Sequence, residues 1–276
     1  MTTPALSVGI RKRGRHYPYP PVDPSGWTRN QWGSVDPDSI PDGVEVRPSI
    51  TNILSVCGMG DGLLFWSGEH AIRAMYRDGF PEDVERAVEL HKGAFRDVRD
   101  ERAEAGTRAH TIAQALTDDL PLPADLSGED EAFADAFMAF WAEHDPKPIY
   151  TEATVYGDLF AAGTGDLFTW IDGRVVALDY KTRGERDDKK LRRYGALYDK
   201  NRMQLAALAR ATEVAVPDGA GWTLEPAPEV EVGLGVVLFP DGTFVTEELD
   251  DVELDRWYRG FVGAHMLWQA TKGVPA

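Results

Sequence analysis

The sequence predicts an α/β protein, a mixed central β-sheet flanked by helices. Three observations predict it. Apolar residues recur at three- and four-residue spacing through much of the stretch from 49 to 145, the period of amphipathic helices. Short β-branched runs bounded by turn residues then occupy much of 149–248. Helical patterns return at 191–212 and 250–271, after the first strands and after the last. Strands and helices ordered this way bury their apolar faces as helices packed on a sheet.

Taken in order, residues 1–48 are rich in Pro, Gly, Asp and Trp with little periodicity, as in Tyr17-Pro18-Tyr19-Pro20-Pro21 and Ser25-Gly26-Trp27. They read as an extended arm of loops and short extended pieces, with Trp27 and Trp32 packed onto the domain. Residues 49–276 read as one domain: a helical part over 49–145, a core over 146–212, and a closing hairpin and helix over 230–271. Pro48-Ser49 opens a helix through Ile53-Leu54. A second helical stretch holds Leu63, Leu64, Phe65, Trp66, Ile72 and Met75. Pro81-Glu82-Asp83 reads as a helix start with acids in its first turn. A long helix spans 93–117, with Ile112, Ala113 and Leu116 on an apolar stripe, and another spans 130–143 around Phe133, Phe137, Phe140 and Trp141. Strands are expected at 149–156, in a hairpin over 165–181, and at 230–239 and 243–248, the last two joined by Pro240-Asp241-Gly242. No internal repeat is present.

The hairpin carries the chemistry. Asp172-Gly173 lies between Gly165-Asp166-Leu167-Phe168-Thr169-Trp170-Ile171 and Arg174-Val175-Val176-Ala177-Leu178-Asp179-Tyr180-Lys181. Asp-Gly between apolar, β-branched arms is a strong signal for a two-residue turn. With that turn Ile171 faces Arg174 and, counting outward, Asp166 falls opposite Asp179, with Cβ atoms about 4.5–5.5 Å apart. Lys181 shares the face of Asp179. Two carboxylates so close repel unless something positive sits between them, and Mg²⁺ favours such a pair together with water and phosphate oxygens. A lysine beside the metal serves to orient an attacking water. A surface hairpin with a cross-strand ion pair is the plainer alternative. It leaves unexplained the continuous apolar run Val175-Val176-Ala177-Leu178, which marks a strand covered on both faces.

Composition narrows the function. The single cysteine, Cys57, excludes an intrachain disulfide and a four-cysteine iron–sulfur site. No apolar run approaches a membrane-spanning length and no signal-peptide core is seen, so a cytoplasmic protein without membrane attachment is expected. The net charge of −17 argues against a broadly basic nucleic-acid binder. Its distribution is uneven, however. Residues 181–202 hold nine basic side chains against four acidic ones, and the first twenty residues carry Arg11, Lys12, Arg13 and Arg15 with no acid. Both stretches suit a phosphate backbone.

Gly165-Asp166 followed by Asp179-Tyr180-Lys181-Thr182 resembles the Asp…(Asp/Glu)-x-Lys signature of the PD-(D/E)XK nuclease superfamily. Gly106-Thr107-Arg108-Ala109-His110 is similar to the Gly-x-x-x-His helix of its RecB-like exonuclease branch. Glu152 on the preceding strand and Gln204 on the following helix fit the same order over about residues 100–212, and Pro48-Ser49-Ile50-Thr51-Asn52-Ile53-Leu54 resembles the opening segment of phage-type members. The resemblance implies a restriction-endonuclease-like core that binds Mg²⁺ or Mn²⁺ through His110, Asp166, Asp179 and the Tyr180 carbonyl. Lys181 would position the hydrolytic water. Glu152 would act as a supporting or second-metal carboxylate, and Gln204 would orient Lys181 or the scissile phosphate. Arg183, Lys189, Lys190, Arg192 and Arg193 would hold DNA. Two departures stand out: Gly165 replaces the nominal proline, and Leu208 stands where the family often has tyrosine.

The expected activity is a metal-dependent exonuclease acting on linear DNA, single- or double-stranded, of the kind found in phage recombination, replication or repair inside a bacterial host cell. A homo-oligomer or a recombination partner protein is compatible with it. The alternatives are a structure-specific endonuclease of the same superfamily, a catalytically degenerate DNA- or partner-binding scaffold, and a hydrolase of a small phosphate substrate.

Overall fold

The structure, a computed structural model, describes residues 6–7, 16–23, 39–58, 61–79, 81–159, 161–219 and 221–272. The expected roles of Trp27, Trp32 and the basic residues Arg11, Lys12, Arg13 and Arg15 fall outside them. In chain order come the strands β1 (Leu6–Ser7), β2 (His16–Tyr19) and β3 (Glu45–Pro48), and the helices α1 (Ile50–Ile53), α2 (Asp61–Asp78), α3 (Val84–His91), α4 (Ala94–Thr117) and α5 (Gly128–His144). The strands β4 (Lys147–Tyr156), β5 (Ala162–Ile171) and β6 (Arg174–Thr182) follow, then α6 (Asp188–Tyr194) and α7 (Asp199–Ala209). Four strands, β7 (Glu213–Pro217), β8 (Trp222–Pro226), β9 (Val232–Leu238) and β10 (Phe244–Leu249), lead to α8 (Asp251–Lys272).

Seven strands form a mixed central sheet in the order β10-β9-β6-β5-β4-β7-β8, and the two-residue β1 pairs in parallel with β4. Only β6 and β9 pair in parallel along that path, from Val176 opposite Val232 to Thr182 opposite Leu238. The turn residues Asp172 and Gly173 have φ of 50° and 75°, the left-handed pair that a type I′ hairpin requires. The β5–β6 register is the expected one, from Ile171 opposite Arg174 to Leu167 opposite Leu178.

Side chains alternate along β6 and build a core on each face of the sheet. Val176, Leu178 and Tyr180 pack with Phe133, Phe137 and Phe140 of α5 and Ala109 and Ala113 of α4. Val175 and Ala177 belong to the opposite core, with Leu205, Ala206 and Leu208 of α7 and Leu254 and Phe261 of α8. All of these are buried, so β6 is covered on both sides, as its unbroken apolar run predicted.

The helix starts follow from their caps. Ser49 caps α1 by accepting from the Asn52 N–H, and Leu54–Cys57 continues it as a 3₁₀ turn. Ser127 and Asp130 form a capping box on α5. Asp83 caps α3, so Pro81 and Glu82 precede that helix instead of forming its first turn.

Three features differ from expectation. The helix expected over 191–212 is two helices. Gly195, at φ 79°, ends α6, and the chain re-enters a helix only at Asp199. The strands β7 and β8 were not expected. Part of the arm is also ordered against the domain: β2 and β3 pair, and Tyr17 is 1% exposed with its Oη 2.8 Å from Thr164 Oγ1. Tyr156 Oη donates to the Pro18 carbonyl at 2.7 Å, and Tyr19 Oη donates to Glu213.

Candidate active site

The candidate site sits where β5 and β6 part. Their ladder ends at Leu167–Leu178, and β6 continues along β9, with Asp179 opposite Gly235. At this fork the Tyr180 N–H donates to Asp166 Oδ2 at 2.7 Å. On the other side of β5, Thr151 faces Leu167 and Ala153 faces Gly165, which sets Glu152 opposite Asp166. Glu152 and Asp166 are thus neighbours across β4 and β5, and Asp179 lies past the end of the β5–β6 ladder, close enough for Asp166 to raise its carboxyl; the three carboxylates make up the row at this fork. Glu152 has φ of 50°, a left-handed conformation that costs a non-glycine residue on the order of 1 kcal/mol and gathers at functional sites.

The helix α4 brings His110 onto this row, with Nδ1 3.3 Å from Asp166 Oδ1. One turn earlier Gly106 faces the end of β6; a Cβ there would lie 3.5 Å from Thr182 Oγ1. Arg108 braces the same turn against α5 through Asp130, at 2.9 Å. Lys181 Nζ contacts Asp179 Oδ2 and donates to the Tyr180 carbonyl at 3.1 Å. From α7, Gln204 Nε2 donates to Asp179 Oδ1 at 3.3 Å.

Electrostatics follow from that packing. Burial pushes the Asp166 carboxyl up, but His110, Lys181 and the Tyr180 N–H outweigh it and hold Asp166 below the ordinary carboxylate range. Asp179, 1% exposed, is raised by burial despite Lys181 beside it. Asp166 lifts the His110 imidazole to about 9 against the effect of burial. Burial would lower the Lys181 ammonium, yet Asp179 and Asp166 raise it. Without a metal, His110 beside Asp166 and Lys181 beside Asp179 place positive charge next to the two carboxylates.

The structure brings His110, Glu152, Asp166, Asp179, Tyr180, Lys181 and Gln204 together. His110, Glu152 and Asp166 each offer a ligand atom within 4.8 Å of one another, so Glu152, expected as a supporting or second-metal carboxylate, stands among the atoms that could hold an ion. Asp179 and the Tyr180 carbonyl are engaged by Lys181, and Gln204, expected to orient Lys181 or the scissile phosphate, touches Asp179. One imidazole nitrogen and two carboxylates, with a third carboxylate and a carbonyl beside them, fit a hard divalent cation such as Mg²⁺ or Mn²⁺.

The five expected DNA-contacting residues divide. Arg183 lies over the Tyr198 ring at 4.3 Å and, with Lys190, lines a cavity beside the site. Lys189, Arg192 and Arg193 are exposed on α6 and do not line that cavity. Arg102 and Trp66, which do, were not singled out from the sequence. Arg102 had a signal: with Gly106 and His110 it recurs every four residues, along one face of α4.

No family model and no curated protein matches the chain. Among solved structures, that of SSO0001 aligns at 16% identity over 45% of this chain and 53% of its own, with a TM-score of 0.22. The chain thus spans about half the length of that neighbour, and a likeness of this depth carries no functional argument. Among the described residues no helix is long and apolar enough to cross a membrane.

Proposed function

We propose that the protein is a metal-dependent DNA exonuclease with a restriction-endonuclease-like PD-(D/E)XK core. The observation that supports it is the row Glu152–Asp166–Asp179 at a strand fork, flanked by His110 on one side and Lys181 on the other. His110, Glu152 and Asp166 would hold Mg²⁺ or Mn²⁺, with Asp179 and the Tyr180 carbonyl as further donors. A divalent cation there supplies Lewis-acid stabilisation of charge on a phosphate oxygen. Lys181 turns its ammonium, gripped by Asp179 and the Tyr180 carbonyl, toward a water and aligns it for in-line attack on phosphorus. Gln204 fixes Asp179 and through it Lys181. The exposed cations of α6 follow directly after this strand and grip the phosphodiester backbone.

The test is digestion of end-labelled linear single- and double-stranded DNA and of closed circular DNA, in Mg²⁺, Mn²⁺ or EDTA, with Asp179→Ala and Lys181→Ala alongside. The proposal expects metal-dependent loss of linear DNA alone, abolished in both variants, with the label giving polarity. Cutting of closed circles would make the protein an endonuclease. DNA binding without cleavage under any metal would overturn the enzyme reading.

A further inference from the structure

Beside the carboxylate row lies a cavity of about 480 Å³, open between α2, α4 and the segment joining β6 to α6. We propose that it is a subsite for one unpaired nucleotide of the DNA strand, next to the nucleotide being cut. The proposal rests on the nuclease reading above and adds to it a preference for single-stranded or frayed ends.

The lining has the chemistry of a nucleotide. Trp66 and His70 enter from α2 with ring centroids 4.3 Å apart, and Tyr198 enters from the start of α7. Aromatic faces stack on any base, a sequence-tolerant interaction. Three cations, Arg102, Arg183 and Lys190, share the lining with two carboxylates, Glu185 and Asp187. Asp187 is already committed, since its Oδ1 caps α6 through the Lys189 and Lys190 N–H groups at 3.0 and 3.1 Å. Arg102 bonds Glu129 at 2.9 Å yet its side chain remains 55% exposed. The volume falls in the range of about 300–1,000 Å³ typical of small-ligand sites.

The location ties the cavity to the cut. Thr182 lines it and directly follows Lys181. On α4, Arg102 in the cavity and His110 in the row lie on one face two turns apart, about 12 Å along the axis, with Gly106 between them against Thr182. A strand with its phosphate at Lys181 therefore runs its neighbouring nucleotide past Thr182 into the aromatic lining. A base that enters has left its stack and its pairing partner. That costs least when the strand is already single.

The test is fluorescence anisotropy of a labelled oligothymidylate, and of a blunt duplex of equal length, titrated with protein in EDTA. Wild type should bind the single strand more tightly. Trp66→Ala and Tyr198→Ala should each weaken single-strand binding about tenfold and narrow the preference. Arg102→Glu reverses an exposed charge without touching the core and should weaken it as well, which covers the case in which Trp66→Ala fails to fold. Trp170→Ala, on the exposed far end of β5, should bind as wild type. Folded Tyr198→Ala and Arg102→Glu proteins that bind the single strand as wild type would overturn the subsite. If they do so while wild type still degrades linear DNA with metal, the nuclease reading survives without it. If wild type cuts nothing but these variants lose oligonucleotide binding, the cavity stands as a single-strand binding site alone and the nuclease reading falls.

Discussion

Replacing Glu247 by Ala should destabilise the protein by about 3 kcal/mol and loosen the segment that carries Tyr198 and Gln204. From β10, Glu247 Oε2 accepts the Ala196 and Leu197 N–H groups at 2.6 and 3.0 Å, and Oε1 accepts Arg202 Nε at 2.6 Å. Arg202 adds Nη2 to Oε2 at 3.2 Å and also donates to Asp199 and the Tyr194 carbonyl. One carboxylate thus holds both the turn between α6 and α7 and the first turn of α7. Its removal strands two backbone donors and a guanidinium whose side chain is 13% exposed, against 18% for Glu247. Breaking a buried pair from one side costs about 3–5 kcal/mol. The residual exposure and the surviving Asp199 contact place this case at the low end. Unfolding entropy of about 2.1 cal/mol/K per residue over 276 residues converts that to a fall in Tm of about 5 °C by scanning calorimetry. Arg202→Ala with Glu247→Ala should show a coupling of about 2 kcal/mol in a double-mutant cycle. The pH dependence has a definite sign. Burial raises the Glu247 carboxyl, but Arg202 and the backbone N–H groups outweigh burial and hold it below its ordinary value. The clamp is therefore fully stabilising above about pH 4.3 and is lost as pH falls through the lower folded-state value. A Tm change under about 1 °C, or additive single variants, would mean that Glu247 does not clamp this segment.

Four further outcomes are expected. With a pKa raised to about 9, His110 is protonated at pH 7 in the metal-free protein, so Mn²⁺ uptake should release about one proton, read as a buffer-dependent calorimetric enthalpy; no buffer dependence would exclude His110 as a ligand. The same shift gives a stabilisation complete below about pH 6.5 and lost as pH rises through about 9, and His110→Gln in EDTA should flatten that loss of Tm. Gly235→Ala would set a Cβ 2.5–2.7 Å from three atoms of the Leu197 side chain, costing about 1–3 kcal/mol in urea unfolding; an unchanged midpoint would mean that Leu197 moves aside freely. Tyr156→Phe removes the buried donor to the Pro18 carbonyl and should cost about 1–2 kcal/mol, with β2 more open to protease; equal stability and protection would show that this bond does not anchor the arm.

What the sequence discloses is local. Asp172-Gly173 determines the turn and the turn determines the register as far as Leu167 opposite Leu178; one step further, where counting sets Asp166 opposite Asp179, the ladder has ended and Asp166 instead accepts the Tyr180 N–H. Ser49, Ser127 and Asp83 cap helices as their types predict, and Gly106 with His110 read correctly as one face of a helix. What it conceals depends on distant partners. Past the fork β6 is held by β9 on its other edge, a parallel pairing with residues more than fifty positions away that no local pattern signals. Glu152 lies opposite Asp166 because β4 is registered against β5 after an irregularity between Pro148 and Tyr150. The break between α6 and α7 depends on Glu247, some fifty residues on, although Gly195 marked its place. The missed β7–β8 pair did carry a signal, since Val214-Ala215-Val216 precedes Pro217 and two glycines at a turn.

Whether the carboxylate row holds a metal is decided by Mn²⁺ titration calorimetry on wild type, Asp166→Ala and Trp170→Ala. A metal site there gives saturable binding to wild type and to Trp170→Ala, lost in a folded Asp166→Ala protein. Equal Mn²⁺ binding by Asp166→Ala and wild type, or none by wild type, would contradict it.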